Sequence, residues 1–121
     1  MKILRDVIIG LSSIPSTSID YQRVIEAVGL PYISIDRMSG TRTTTHCGGN
    51  DTVESRYRLL VCAGNMRDAR KYAKELYPIN GYSGGFIAHT RIENEMENYD
   101  AQVRVFQVII DLTIQYYEGG L

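Results

Sequence analysis

The 121-residue sequence predicts one α+β domain spanning residues 1–121, in which an antiparallel sheet of four to five strands carries two helices packed on one face. Three features predict it. Two stretches place apolar residues at helical spacing, and several others alternate apolar and polar residues with the period of a strand. Turn-forming Gly, Pro, Asn and Ser separate these stretches, with no repeat, linker or charge block between them. At this length folding buries roughly 65% or more of the surface the unfolded chain exposes, so one core suffices.

Residues 1–12 set Ile3, Leu4, Val7, Ile8 and Leu11 along one side of a helix, which should stop near Ser12-Ser13 because Pro15 disfavours helical geometry at Ile14. Residues 19–28 fit two periods: Ile19, Tyr21, Arg23 and Ile25 alternate, while Tyr21, Val24, Ile25 and Val28 also form a helical stripe. The β-branched and aromatic content favours the strand. Gly29-Leu30-Pro31 then reads as a turn into the strand Tyr32-Ile33-Ser34-Ile35-Asp36.

Residues 39–51 are rich in Gly, Thr, Ser and Asn and read as a long loop projecting from the body. Strand character resumes over 52–63, where the closing run Leu59-Leu60-Val61-Cys62 is apolar enough for full burial. Asn65 reads as an N-cap with Asp68 near the positive end of the helix dipole, and Met66, Ala69, Tyr72, Ala73 and Leu76 form the apolar stripe of the best-signalled helix. It ends at Tyr77-Pro78, and 80–85 supply turn chemistry. A hairpin closes the chain: Phe86, Ala88, Thr90 and Ile92 alternate with Ile87, His89, Arg91 and Glu93, and a strand over 102–117 returns after a turn at 97–100. In that last strand Phe106, Val108, Ile110, Leu112, Ile114 and Tyr116 share one face, leaving Gln107, Asp111, Thr113 and Gln115 on a polar one.

Composition narrows the function. Hydrophobic residues make up 44% and charged residues 22%, ordinary for a globular domain. Thirteen basic against 14 acidic residues give a net charge of -1, hence no global attraction to nucleic acid or to an anionic membrane. No apolar run approaches the ~20 residues of a membrane span, and Lys2, Arg5 and Asp6 interrupt any signal-peptide core, so synthesis in the cytoplasm is expected. Cys47 and Cys62 do not form a disulfide framework, and reduced thiols are the default.

Candidate chemistry is sparse. His46-Cys47 lacks partner ligands at metal spacing and points two ways in an extended chain. Glu93, Glu95 and Glu97 alternate as if to share one strand face, but such charges more often mark a solvated edge. Gly81, Gly84 and Gly85 precede a strand rather than a helix, so they make no phosphate cradle. Arg67, Arg70, Lys71 and Lys74 read as a solvated helix face, and no serine has a nucleophile context. No catalytic residue, cofactor or metal is expected. Nine tyrosines against two phenylalanines suit surfaces dry on one side and wet on the other, which makes Tyr99, Tyr116 and Tyr117 interface candidates.

Taken in order, the N-terminal amphipathic helix, Leu30-Pro31-Tyr32-Ile33-Ser34-Ile35, the polar loop through His46 and the helix Met66-Arg67-Asp68-Ala69-Arg70-Lys71-Tyr72-Ala73 resemble the tail-completion, or tail-terminator, family of long-tailed phages and prophages. The closing stretch, from Tyr99-Asp100 to Val108-Ile109-Ile110-Asp111-Leu112-Thr113-Ile114-Gln115-Tyr116, is similar to that family's final strand. The resemblance implies a non-enzymatic virion protein that forms a hexameric ring at the head-proximal end of the tail, which stops tube polymerisation and offers a joining surface for the head. Its partners would be further copies of itself, the tail tube protein and a connector or neck protein, with DNA only passing through the lumen and no membrane. Loop and strand-end residues Arg42, Thr44, His46, Asn50, Asp51 and Glu54, with Tyr99 and Tyr117, would then contact a neighbouring subunit or the tube, and Glu93, Glu95 or Asp111 would face the lumen. A neck or head-closure subunit is the alternative within the same setting. A small α+β ligand-binding domain or enzyme is the alternative of another class.

Overall fold

The computed structural model describes residues 2–21, 30–43, 52–84, 87–102 and 104–117. Its first helix, α1 (Lys2–Leu11), buries Leu4 and Ile8 completely, as the apolar spacing requires. The chain leaves α1 through Ser12 and Ser13, and the Ser12 hydroxyl accepts a hydrogen bond from the Ile14 N–H at 3.1 Å, local bonding that competes with a further helical turn. A short strand β1 (Ile19–Tyr21) follows, then β2 (Tyr32–Thr43), β3 (Thr52–Ala63), α2 (Met66–Glu75), β4 (Ile87–Asp100) and β5 (Val105–Tyr117).

The strands form a single five-stranded sheet in the order β1-β2-β3-β5-β4. It is mixed, which corrects the expected all-antiparallel arrangement: β1 runs parallel to β2, with Ile19 beside Ile33 and Tyr21 beside Ile35. The two strands are therefore not the arms of a hairpin, which joins antiparallel neighbours only. The predicted strand over 22–28 lies outside the described residues. Two further boundaries move. β2 continues through residues 39–43, where a loop was expected, because 39–43 pair in register with 52–56 of β3. β4 likewise continues through 97–100, where Asp100 pairs with Val105 of β5, and Arg104 just before Val105 takes left-handed backbone (φ 54).

One core joins both helices to one side of the sheet. Ile33 and Ile35 of β2, Leu59 and Val61 of β3, and Val108, Ile110, Leu112 and Ile114 of β5 cluster with Leu4 and Ile8 of α1 and Ala69 and Ala73 of α2. Cross-strand rows such as Ile35, Leu59 and Ile110 account for the cluster, since partners in register point to the same face. Helix α2 is capped as expected. The Asn65 side-chain oxygen accepts from the Asp68 N–H at 2.8 Å, and the Asn65 amide donates back to the Asp68 carboxylate at 3.0 Å. A smaller apolar cluster of Tyr32, Cys62 and Val105, with Leu60 against it, sits on the other face.

Two bulges reset β4. Register shifts between Ile87 and His89 and between Ile92 and Asn94 turn Ile87, Thr90 and Ile92 toward the core side, rather than the predicted series Ala88, Thr90 and Ile92. Phe86 lies outside the described residues. Thr90 is fully buried, and among the described residues its hydroxyl has no hydrogen-bond partner. Thr90→Val, which keeps the shape and removes the unsatisfied hydroxyl, is therefore expected to raise the unfolding free energy by about 1 kcal/mol in denaturant titration.

The outer edge of β4 is covered along its first half. Gly84 and Ile87 exchange both backbone hydrogen bonds, the Gly81 N–H donates to the Thr90 carbonyl at 2.6 Å, and the Asn80 side-chain oxygen accepts from the Ile92 N–H at 3.0 Å. Gly81 adopts φ 80 to make this approach, a conformation that L side chains rarely take. Beyond Ile92 the edge has no strand or turn on it among the described residues.

Candidate functional site

The face of the sheet turned away from the helices carries rows of polar and charged residues set by register. Asp36, Arg58 and Asp111 form one row across β2, β3 and β5; Arg56, Thr113 and Arg91 form the next across β3, β5 and β4; Glu54, Gln115 and His89 the one after. Arg58 grips Asp111 with both arms of its guanidinium, Nε to Oδ1 at 2.8 Å and Nη2 to Oδ2 at 3.3 Å. These hydrogen bonds push the Arg58 pKa above its ordinary value; burial opposes them, and the charges of Asp111 and Asp36 add to the rise. Met38, Arg56, Arg58, Glu93 and Asp111 rim a shallow concavity of about 420 Å³ at the centre of this face.

The two side chains remain 33% and 26% exposed, so water screens the pair and its bidentate geometry is what raises its worth. A double-mutant cycle with Arg58→Ala and Asp111→Ala is expected to give a coupling of about 0.5–1 kcal/mol that shrinks as salt is added.

The second bulge decides where the acids of β4 point. Glu93 stays on the open face, where the Arg91 guanidinium donates to it at 2.7 Å and Thr113 also bonds it. Glu95 and Glu97 are in register with Ile110 and Val108 and so turn to the helix side. Glu95 accepts a hydrogen bond from the Tyr77 hydroxyl at 2.7 Å, and Glu97 pairs with Arg70 of α2. The three glutamates therefore do not share one face, contrary to their alternation in sequence, because a single extra residue reverses every position after it. Of the three expected lumen acids, Glu93 and Asp111 lie together on the open face and Glu95 lies on the other.

Hydrogen bonds from Arg91 and Thr113 hold the Glu93 carboxyl below its ordinary pKa of 4.5, and the hydrogen bond from Arg70 does the same for Glu97. Folded values below the unfolded one mean that these contacts stabilise the protein fully above about pH 4.5 and fade as pH falls below it. Tyrosines act in the opposite range. Burial pushes the hydroxyl of Tyr21 up to about 12, the hydrogen bond to Glu95 does so for Tyr77, and burial raises Tyr57 as well. Their contributions are complete below pH 10 and are lost toward pH 12. Titration of tyrosinate absorbance is expected to show Tyr21, Tyr57 and Tyr77 ionising late, with stability declining over that interval.

The expected contact residues divide between the two ends of the sheet. Arg42 pairs with Val53, Glu54 with Gln115 and Tyr117 with Thr52, all at one end. Tyr99 is at the other, half exposed, with its ring 4.6 Å from that of Phe106. Thr44, His46, Asn50 and Asp51, and with them the His46-Cys47 pair, lie outside the described residues. Cys62 is completely buried, and burial raises its thiol pKa, as befits an inert cysteine. On the outer side of α2, Arg67, Arg70, Lys71 and Lys74 surround a second shallow depression of about 520 Å³. Arg70, read from sequence as solvated, is the member that ties α2 to β4.

Sequence reasoning missed the paired arginines of β3. Arg56 and Arg58 alternate with the buried Ser55, Tyr57 and Leu59, and that period was the available signal that both point to the open face. Among the described residues, no group of three or more His, Cys, Asp and Glu is placed to hold a metal ion, and no helix is long and apolar enough to cross a membrane. Comparison with known proteins returned no match, either to a family model or to a curated sequence.

Proposed function

We propose that this chain is a structural, non-catalytic virion subunit that forms a ring, a hexamer by its resemblance, at the head-proximal end of a phage tail tube, ends tube polymerisation and offers the surface on which the head is joined. The observation that carries this reading is the shape of the sheet. Strands of 12 to 14 residues, β2 to β5, present an extended face of ion-paired charges opposite the helices, which is a surface suited to wet subunit contact rather than a convergent pocket. A two-layer packing, with both helices on one face, leaves that surface open for neighbours.

A ring subunit needs two different patches related by a closing rotation, and the two sheet edges and the open face supply unlike surfaces. In the ring, Arg42, Glu54 and Tyr117 at one end of the sheet would meet a neighbour or the tube. The open-face acids Glu93 and Asp111 would face passing DNA, where their ion pairs with Arg91 and Arg58 engage two arginines that would otherwise hold phosphate. Light scattering of the purified protein, alone and mixed with polymerised tail tubes, followed by electron microscopy, tests the reading. A six-fold ring, or density capping one tube end and halting growth, is the expected result. A monomer or dimer indifferent to tubes overturns it and favours the small-ligand alternative, for which the concavity around Arg56 and Arg58 is the place to screen.

A further inference from the structure

We infer that successive copies of this chain join edge to edge, the free part of β2 in one copy pairing antiparallel with the free part of β4 in the next. This rests on the ring reading above and specifies its contact. Among the described residues, β1 pairs with β2 as far as Ile35 and none bonds the same edge of β2 over 36–43; the segment 80–84 covers the edge of β4 as far as Ile92, and no described backbone bonds that edge over 93–100. Open strand edges present unpaired N–H and C=O groups and are templates for another strand.

Charge selects the partner. Residues 93–100 carry Glu93, Glu95, Glu97 and Asp100 and no base, with Glu93 and Glu97 ion-paired to Arg91 and Arg70 and Glu95 and Asp100 left to set the sign of the edge, whereas 36–43 carry Arg37 and Arg42 with one acid, Asp36. Two β4 edges brought together by a two-fold axis would set acids against acids, which disfavours a symmetric pair. An acidic edge on a basic one is a heterologous contact, the kind that generates rings.

Direction and offset agree with this contact. Three antiparallel steps separate β2 from β4, so copies in the same orientation meet antiparallel. The open stretches lie at opposite ends of the sheet, since 36–43 are level with the covered start of β4. Matching them shifts neighbours along the strands by about six residues, roughly 20 Å. Across a repeat of four strands, about 19 Å wide, that shift tilts the strands by about 45° to the ring axis, at the upper end of the range of closed sheets.

Cysteine cross-linking tests the contact in the full chain, in a Cys47→Ser background with the buried Cys62 retained. Met38 on β2 and Asn98 on β4 are exposed, face each other when 36–43 is matched with 93–100, and accept the substitutions Met38→Cys and Asn98→Cys, while Met96→Cys, near the middle of the β4 stretch, is the control for a two-fold contact. The double variant is expected to oxidise to a ladder of covalent oligomers, and each single variant to stay monomeric on a denaturing gel. Rings seen by microscopy without a ladder would overturn the edge pairing and leave the ring reading standing. Dimers from Met96→Cys alone would overturn it in favour of a two-fold contact. A ladder of open chains that never close would uphold the pairing and sink the ring, while neither rings nor ladder would sink both.

Discussion

Leu59→Ala is expected to lower the unfolding free energy by about 3–4 kcal/mol. Leu59 is completely buried at the middle of β3, between Ile35 and Ile110, which are themselves buried and in register with it. Removing its isobutyl group costs the transfer of the lost atoms and leaves a cavity that a sheet, hydrogen-bonded on both sides of β3, cannot close by shifting one strand. Denaturant titration followed by circular dichroism measures the change. A loss under about 1 kcal/mol would mean that the cluster is loosely packed or that neighbours collapse into the space, and would count against a single core shared by α1, α2 and the sheet.

Ala73→Leu is expected to cost about 2 kcal/mol, through crowding rather than loss. Ala69 and Ala73 are both fully buried and lie one turn apart on α2, where small side chains allow the helix to approach β3 and β5. Leucine is nearly as good a helix former as alanine, so the substitution leaves helix propensity almost unchanged and reports the packing distance. Lys74→Leu, at the adjacent exposed position, provides the control and should fall within about 0.5 kcal/mol of the parent. If both variants behave alike, α2 does not press on the sheet as closely as the burial of Ala69 and Ala73 implies.

Local pattern was enough for α1, α2 and β3. Their bounds follow from apolar spacing and from a cap at Asn65 whose two partners sit three residues apart, and such signals act within one or two turns of chain. The open site was only half legible. Asp111 and Glu93 were readable as polar positions on strands, but Arg58 gained meaning only when β3 was placed beside β5, because 53 residues separate it from Asp111. The same holds for Arg70 and Glu97, which are 27 residues apart: charge on a helix face reads as solvated until a strand brings an acid beside it.

By itself, then, the sequence determined the α+β class, the two described helices, the apolar face of β5 and the open polar face behind it, since each depends on the period of side chains along one element. Tertiary structure alone decided that β1 runs parallel to β2, that β2 and β4 outlast their apolar stretches, and that Glu93 parts from Glu95 and Glu97. Those outcomes depend on which backbone groups find partners on a neighbouring strand. A bulge at one residue of β4 shifts the ladder without leaving a mark in the spacing of the residues around it.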